Sequence, residues 1–305
     1  MTRYALKRVV QTIPTLIGIS LAAFLLVRLT GDPAVILLPT EASPEAVAEF
    51  RTKFGLDESL PVQYWQFLRN TLQGDLGTSI RFNVPVLELF LQKMPATVEL
   101  AVASITLSML AGIPMGVLSG LKHRTLADTI IRGFAFIGQA IPGFYLGLLL
   151  IIGFAVKLRW LPTGGRGTWQ QLVLPTVTLS VFLLALLVRF TRGAVLDAKR
   201  QPHVVTAESK GLSQWRVLRS HILKNSMIPI ITVIGLQVGA VLSGTVVTEV
   251  VFNWPGIGRL MVDAIYTRDF PVVQAMVMIV ATIFIVVNLV VDILYSVFDP
   301  RIRQG

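Results

Sequence analysis

Apolar residues fall into six long runs separated by polar segments of unequal charge. The first run, Val9 to Leu29, has the length a helix needs to cross a hydrocarbon core of about 30 Å. The others extend over Val98 to Leu121, Ile130 to Val156, Leu172 to Val188, Ile230 to Val251 and Val272 to Phe298. Each predicts a membrane-crossing helix, so the expected class is an all-α integral membrane protein with six transmembrane helices. A cleaved signal peptide is the competing reading of the first run. Its apolar region would be shorter and followed by small residues, whereas this run ends in Arg28-Leu29-Thr30-Gly31-Asp32-Pro33, which favours an uncleaved span. Pro14 is compatible with a span, because membrane helices tolerate proline.

Between the runs, charge sorts by side. Arg3, Lys7 and Arg8 precede the first span, Lys122, His123 and Arg124 follow the second, and Arg301 and Arg303 end the chain. The segment Arg189 to Pro229 carries Arg189, Arg192, Lys199, Arg200, Lys210, Arg216, Arg219 and Lys224 against Asp197 and Glu208. Acids instead outnumber bases between Thr30 and Lys93. Cationic loops stay in the cytoplasm, which predicts cytoplasmic termini, a cytoplasmic 189–229 loop and an extracytoplasmic 30–96 segment.

Composition agrees, since 53% apolar and 14% charged residues are too oily for a soluble surface. A net charge of +10 would suggest nucleic acid in a soluble protein; here the cations sit beside spans, and orientation accounts for them. With no cysteine there is no disulfide framework, thiolate metal site or cysteine nucleophile. His123, His203 and His221 have no metal-binding spacing, and no Walker lysine motif occurs, so ATP-driven work needs ATPase subunits in trans.

Several local signals refine the picture. Ser43-Pro44-Glu45 starts a short helix that runs to about Phe54 and closes at Gly55. Tyr64, Trp65 and Phe67 form either an interfacial belt or a small folded lobe, and Gly74 to Ser79 is a turn by composition. In the third run Gly133, Gly138, Gly143, Gly147 and Gly153 permit close helix approach, while Gln139 and Pro142 interrupt it. A helix broken at membrane depth lines a cavity or is a packing kink, so Gln139 and Pro142 are the candidates for the translocation path. LRWLPTGGRGTW lacks the order of a phosphate-binding loop, and Trp254-Pro255-Gly256 predicts a tight turn. Glu99 and Glu249 sit at span ends; Asp292, near Asn288 in the last span, is read as structural.

The basic segment does not read as a slack linker. Val204, Ala207, Glu208 and Gly211 share one helical stripe with Val205 and Leu212 beside it, and Gly211 is a plausible stop. Ser213 is positioned to cap a second helix whose Trp215, Leu218 and Ile222 form a stripe. By periodicity alone, a tether that only sets topology and a docking element for another protein stand equally.

Thr206-Ala207-Glu208-Ser209-Lys210-Gly211-Leu212-Ser213, followed by His221 and Lys224-Asn225, resembles the EAA loop of permeases in binding-protein-dependent ABC importers. Val205 and Thr206 stand where that signature has Glu and its first Ala; the Ala207 and Gly211 positions are kept. LTGDP, FGLDESLPVQY, GDLGTS and FNWPGIGRLMVDAIYTRDFP extend the resemblance, over nearly the whole chain, to the dipeptide/oligopeptide permease family, with a short third-to-fourth-span loop similar to glutathione-type members. The resemblance implies a type I importer permease in the bacterial inner membrane that takes up short peptides or peptide-like solutes such as dipeptides, oligopeptides or glutathione. It divides the chain into a tail and first span (1–29), an extracytoplasmic loop with short helices (30–96) and a core of five spans (97–305). It implies ATPase coupling through Val204, Val205, Thr206, Ala207, Glu208, Lys210, Gly211 and Leu212. No cofactor is expected in this chain. ATP and Mg belong to two partner ATPase subunits, and a second homologous permease, an extracytoplasmic solute-binding protein and membrane lipid complete the partners. The alternatives from other classes are a self-sufficient secondary transporter or channel, which would need inverted repeats or buried ion ligands, and a membrane-embedded enzyme.

Overall fold

The computed structural model describes the backbone of residues 2–29, 43–53, 55 and 57–298, and their side chains except at 2–10, 26–29, 53, 228, 232, 242, 243 and 291–298. Thr30 to Pro33 of the LTGDP motif, Asp299, Arg301, Arg303 and the side chain of Asp292 lie outside the described residues.

Among the described residues every extended element is a helix. In chain order these are α1 (Thr2–Leu29), α2 (Pro44–Lys53), α3 (Leu60–Leu72), α4 (Val86–Leu121), α5 (Leu126–Ala140) and α6 (Gly143–Leu150), which continues as a π-helical stretch, Ile151–Lys157. Next come α7 (Trp169–Lys199), α8 (Pro202–Ser209) and α9 (Gln214–Val217), which runs through a second π-helical stretch, Leu218–Leu223, into α10 (Lys224–Val251). α11 (Ile257–Tyr266) and α12 (Phe270–Phe298) complete the chain. Stretches in α4, α7, α9–α10 and α12 are long and apolar enough to cross a membrane, and the α5–α6 pair, bent by 104°, makes a fifth. α1 has a shorter apolar stretch, Gln11–Leu25, among its described side chains.

Helix ends overrun the apolar runs where polar residues still present a buried stripe. α7 continues to Lys199, so the start of the basic segment is helix: Val188, Thr191, Val195 and Ala198 face inward while Arg189 and Lys199 face out. The α5–α6 bend comes from Pro142, which lacks an amide hydrogen and holds Ile141 extended at φ −80° and ψ 123°.

The chain forms two compact units, one of residues 1–95 and 256–289, the other of 96–255 and 290–305. In the first unit, Phe24 of α1 meets Tyr64 and Phe67 of α3 at ring-centroid distances of 5.5 and 6.2 Å, and Ser20 Oγ lies 2.7 Å from Tyr64 OH. The aromatic set is therefore divided: Tyr64 and Phe67, half-buried, pack against Phe24, and Trp65 is exposed. Val86, Leu89 and Phe90 form a core with Leu260 and Ala264 of α11 and Val272, Ala275 and Met276 of α12. Beside it, buried Asp269 caps the 79–82 turn. Its carboxylate accepts from Ser79 Oγ at 2.5 Å, Ile80 N at 3.2 Å and Arg81 N at 3.3 Å. α2 is helical to Lys53 and Gly55 stands at φ 62°; Phe54, where the helix was expected to end, lies outside the described residues.

In the second unit α7 is the central post. Leu183, Leu186 and Leu187 pack with Ala101, Val233 and Val241, while Leu184, Ala185 and Val188 pack with Ile131 and Ala135 of α5. The glycines that bring helices together differ from those expected. Gly138 and Gly147 have close neighbours, but a Cβ on Gly133, Gly143 or Gly153 would meet nothing within 4 Å. The tight interface is α4 against α7, through Gly112, Gly116 and Gly120 at four-residue spacing.

Candidate functional site

The 200–223 loop is held by its own small core. Gln201 precedes α8, Pro202 occupies its first position, and Gly211 ends the turn at φ 74°, where glycine is unstrained. Val204 and Ala207 are buried with Val195 and Ala198 of α7, Val217 of α9 and Ile222; Val117 and Leu121 of α4 pack against this cluster. The stripe expected to meet a partner is thereby divided. Val204 and Ala207 face the chain's own interior, Leu212 is half-buried, and Val205, Thr206, Glu208, Lys210 and Gly211 are exposed. Ser213 precedes α9 but its side chain makes no capping bond, and the Trp215 end of the second stripe is 68% exposed. A groove of about 420 Å³ opens beside this face, bordered by Lys199, Glu208, Trp215 and Leu218. Asn225 Nδ2 ties the loop to α10, donating to His221 O at 2.8 Å and lying 2.9 Å from His203 Nε2.

A second anchor joins the Lys122–Thr125 turn to α7. Asp128, 1% exposed, receives Arg192 Nε at 2.7 Å and Nη2 at 3.0 Å, Ser119 Oγ at 2.6 Å and Arg124 N at 3.0 Å. His123 Nδ1 stands 2.9 Å from Arg192 Nη2, and Arg132 Nε 3.5 Å from Asp128 Oδ1. Every acceptor direction of the buried carboxylate is used, the condition under which a buried ion pair is tolerated. Arg192 is 64 residues from Asp128, and the Ser, Asp and Arg of this knot carry no motif.

At the helix break a half-open cavity of about 340 Å³ lies between the end of α5, α6, α7 and α10. Gly138, Ile141 and Gly143 line it, flanking the two residues chosen from sequence. Gln139 itself turns aside, its Oε1 accepting from Arg189 Nη1 at 3.4 Å, and Pro142 is exposed. The wall is apolar apart from Thr178, Thr248 and Gln237. Gln237 was legible: it is the one amide in the apolar run Ile230 to Val251, and a polar side chain at membrane depth signals function.

The far end of α10 is packed shut. Trp254, expected in a tight turn, is 1% exposed, and its Nε1 donates to Ala96 O at 2.8 Å. Thr97 Oγ1 donates to buried Glu249 at 2.6 Å, and Arg166 pairs with Glu99 at 2.7 Å. The Gly-rich loop wraps a peptide carbonyl: Gly165 N donates to Phe252 O at 2.9 Å, so close that a Cβ on Gly164 would lie 1.9 Å from that oxygen.

Long apolar helices around a cavity, with a polar loop folded back on their ends, make up a membrane transport permease. The chain belongs to the family of binding-protein-dependent transport system inner membrane components, whose model matches residues 112–304; the corresponding N-terminal model matches residues 1–101. It is 40% identical to the glutathione transport system permease protein GsiC of Salmonella typhimurium over 304 residues, 99% of both chains. It is also 40% identical to the probable peptide ABC transporter permease protein y4tP of Sinorhizobium fredii, over 98% of this chain and 99% of that protein. The fold matches the inward-facing MetNI methionine ABC transporter with a TM-score of 0.58 at 15% identity, covering 70% of this chain and 97% of that one. An amino acid ABC transporter matches with a TM-score of 0.55 at 18% identity, covering 70% and 94%. The protein is therefore an inner-membrane ABC importer permease, not a self-sufficient secondary transporter or an enzyme. ATPase activity lies in separate subunits, and a solute-binding protein delivers its cargo.

Proposed function

We propose that this permease imports short peptides or peptide-like solutes, glutathione among them, and that it works beside a second, related permease above two ATPase subunits that bind ATP and Mg. The observation that carries the reading is identity of 40% along the full length to permeases named for glutathione and peptide transport. In this arrangement the chain has six spans, with α1 as the first, both termini in the cytoplasm and the 200–223 loop facing the ATPases. The exposed face of α8, Val205, Thr206, Glu208 and Lys210, with Gly211 and Leu212 at its end, seats in an ATPase cleft. Val204 and Ala207 hold that face to α7 from inside, so closure of the ATPases moves α4, α7 and α10 together.

Exposed-face substitutions test the coupling. Val205→Asp and Lys210→Glu leave the loop core intact, and each should abolish ATP-dependent peptide uptake and co-purification of the ATPase while the companion permease is retained. Ala207→Asp is unsuitable, because a charge at a 4% exposed site breaks the loop itself. Wild-type uptake and ATPase recovery in both exposed-face variants would overturn the coupling role. Failure of the wild-type complex with its binding protein to accumulate either glutathione or tri-alanine would overturn the solute class.

A further inference from the structure

The cavity beside the α5–α6 bend contains one polar side chain whose hydrogen-bonding groups are left to a visitor. Thr178 Oγ1 donates to Leu174 O at 2.8 Å and Thr248 Oγ1 to Gly244 O at 3.4 Å, so both hydroxyl protons are used by their own helices. Gln237, half-buried in the cavity wall, has no hydrogen-bond partner among the described residues. It sits midway along α10, and Val241, Gly244 and Thr248 continue its helical stripe down the same wall. A carboxamide in an apolar setting costs free energy while unpartnered, and it regains that when water or a ligand supplies a complementary group.

We propose that Gln237 is a solute-contacting residue that reads the peptide group. A carboxamide offers a carbonyl acceptor and an amide donor side by side, the same pair a backbone peptide unit presents in reverse. Among the described residues that line the cavity none is charged, so the wall recognises neutral amides and leaves the ionised ends of a peptide in water or to other subunits. A volume of about 340 Å³ lies within the usual range of roughly 300–1,000 Å³ for small-molecule sites, enough for part of a short peptide. Gly244 keeps the wall recessed: a Cβ there would come within 3.3 Å of Leu179 Cδ1. This assignment rests on the peptide-import reading above.

The test uses the complete complex with its binding protein in proteoliposomes, and two radiolabelled probes: tri-alanine and tri-alanine methylated at both peptide nitrogens. Gln237→Leu and the near-isosteric Gln237→Met remove the carboxamide; Gln237→Asn keeps it. Uptake of tri-alanine should fall about three- to tenfold in the Leu and Met variants, the equivalent of one hydrogen bond to a neutral partner. Their preference for tri-alanine over the methylated peptide should fall towards parity, and the Asn variant should recover part of both. The same binding protein serves every arm, so its own preference cancels in the comparison. Binding-protein-stimulated ATP hydrolysis should persist, which separates a lost solute contact from a misassembled complex. If uptake and preference match wild type in both apolar variants, Gln237 is not a solute contact, and the peptide reading stands. If the wild-type complex takes up neither tri-alanine nor glutathione, the peptide reading itself falls and this assignment with it.

Discussion

Gly116 of α4 faces Thr191 of α7 so closely that a Cβ added to the glycine would lie 2.5 Å from the threonine Cβ and 2.9 Å from Val188 O. A β-branched neighbour and a backbone carbonyl cannot retreat, so the helices themselves would have to part. Gly116→Ala should therefore cost about 1–3 kcal/mol through overpacking, visible as a lower melting temperature of the detergent-solubilised complex. Gly133→Ala is the control, because nothing lies within 4 Å of its added carbon. Equal melting of the two variants would contradict the close α4–α7 approach.

Asp128 is held by Arg192, Ser119 and the Arg124 amide while almost wholly buried. Removing the acid alone strands a largely buried guanidinium and should be strongly destabilising, on the order of 3–5 kcal/mol. Asp128→Ala should thus reduce both membrane yield and thermal stability. The double variant Asp128→Ala/Arg192→Met should recover part of the loss, since no charge is left without a partner. A double variant that melts below Asp128→Ala would show that the pair does not act as a unit.

Asp269 gathers the Ser79 hydroxyl and two successive amides of the 80–81 backbone in a buried position. Asp269→Ala leaves those donors without their acceptor, at about 1–3 kcal/mol for each buried group that water cannot reach. The turn should loosen, and exposed Arg81 should become a trypsin site: cleavage between Arg81 and Phe82 should be rapid in Asp269→Ala and slow in wild type. Resistance of the variant to trypsin would mean that the 79–82 turn holds itself.

The 200–223 loop shows how far periodicity reaches. Helical spacing placed a short helix through Val204 to Glu208 and the stop at Gly211, whereas the second short helix expected through Trp215, Leu218 and Ile222 runs without a break into α10. It could not tell which side of the first helix is inside, because both sides of α8 are partly apolar: Val204 and Ala207 on one, Val205 on the other. The answer lies in Val195, Ala198, Val217 and Ile222, which complete a core with the first pair and leave the second exposed. The third run went similarly, since Pro142 announced a break while the lining of the cavity fell to its neighbours.

What the sequence determined by itself was the all-α class with several long apolar helices, the bend at Pro142, the short helices at 44–53 and 202–209 and membership of the permease family. These rest on local properties: hydrophobic length, the missing amide of proline, the φ freedom of glycine, and contiguous motifs. What only the tertiary structure decided was which polar groups meet. Asp128 with Arg192, Ser79 with Asp269, Thr97 with Glu249 and the packing of Gly116 on Thr191 all join positions far apart in the chain. Their pairing depends on helix rotation and register, which many arrangements of the same apolar runs would satisfy equally in lipid. Burial then selects the arrangement in which the buried carboxylates find donors and the glycine faces find ridges.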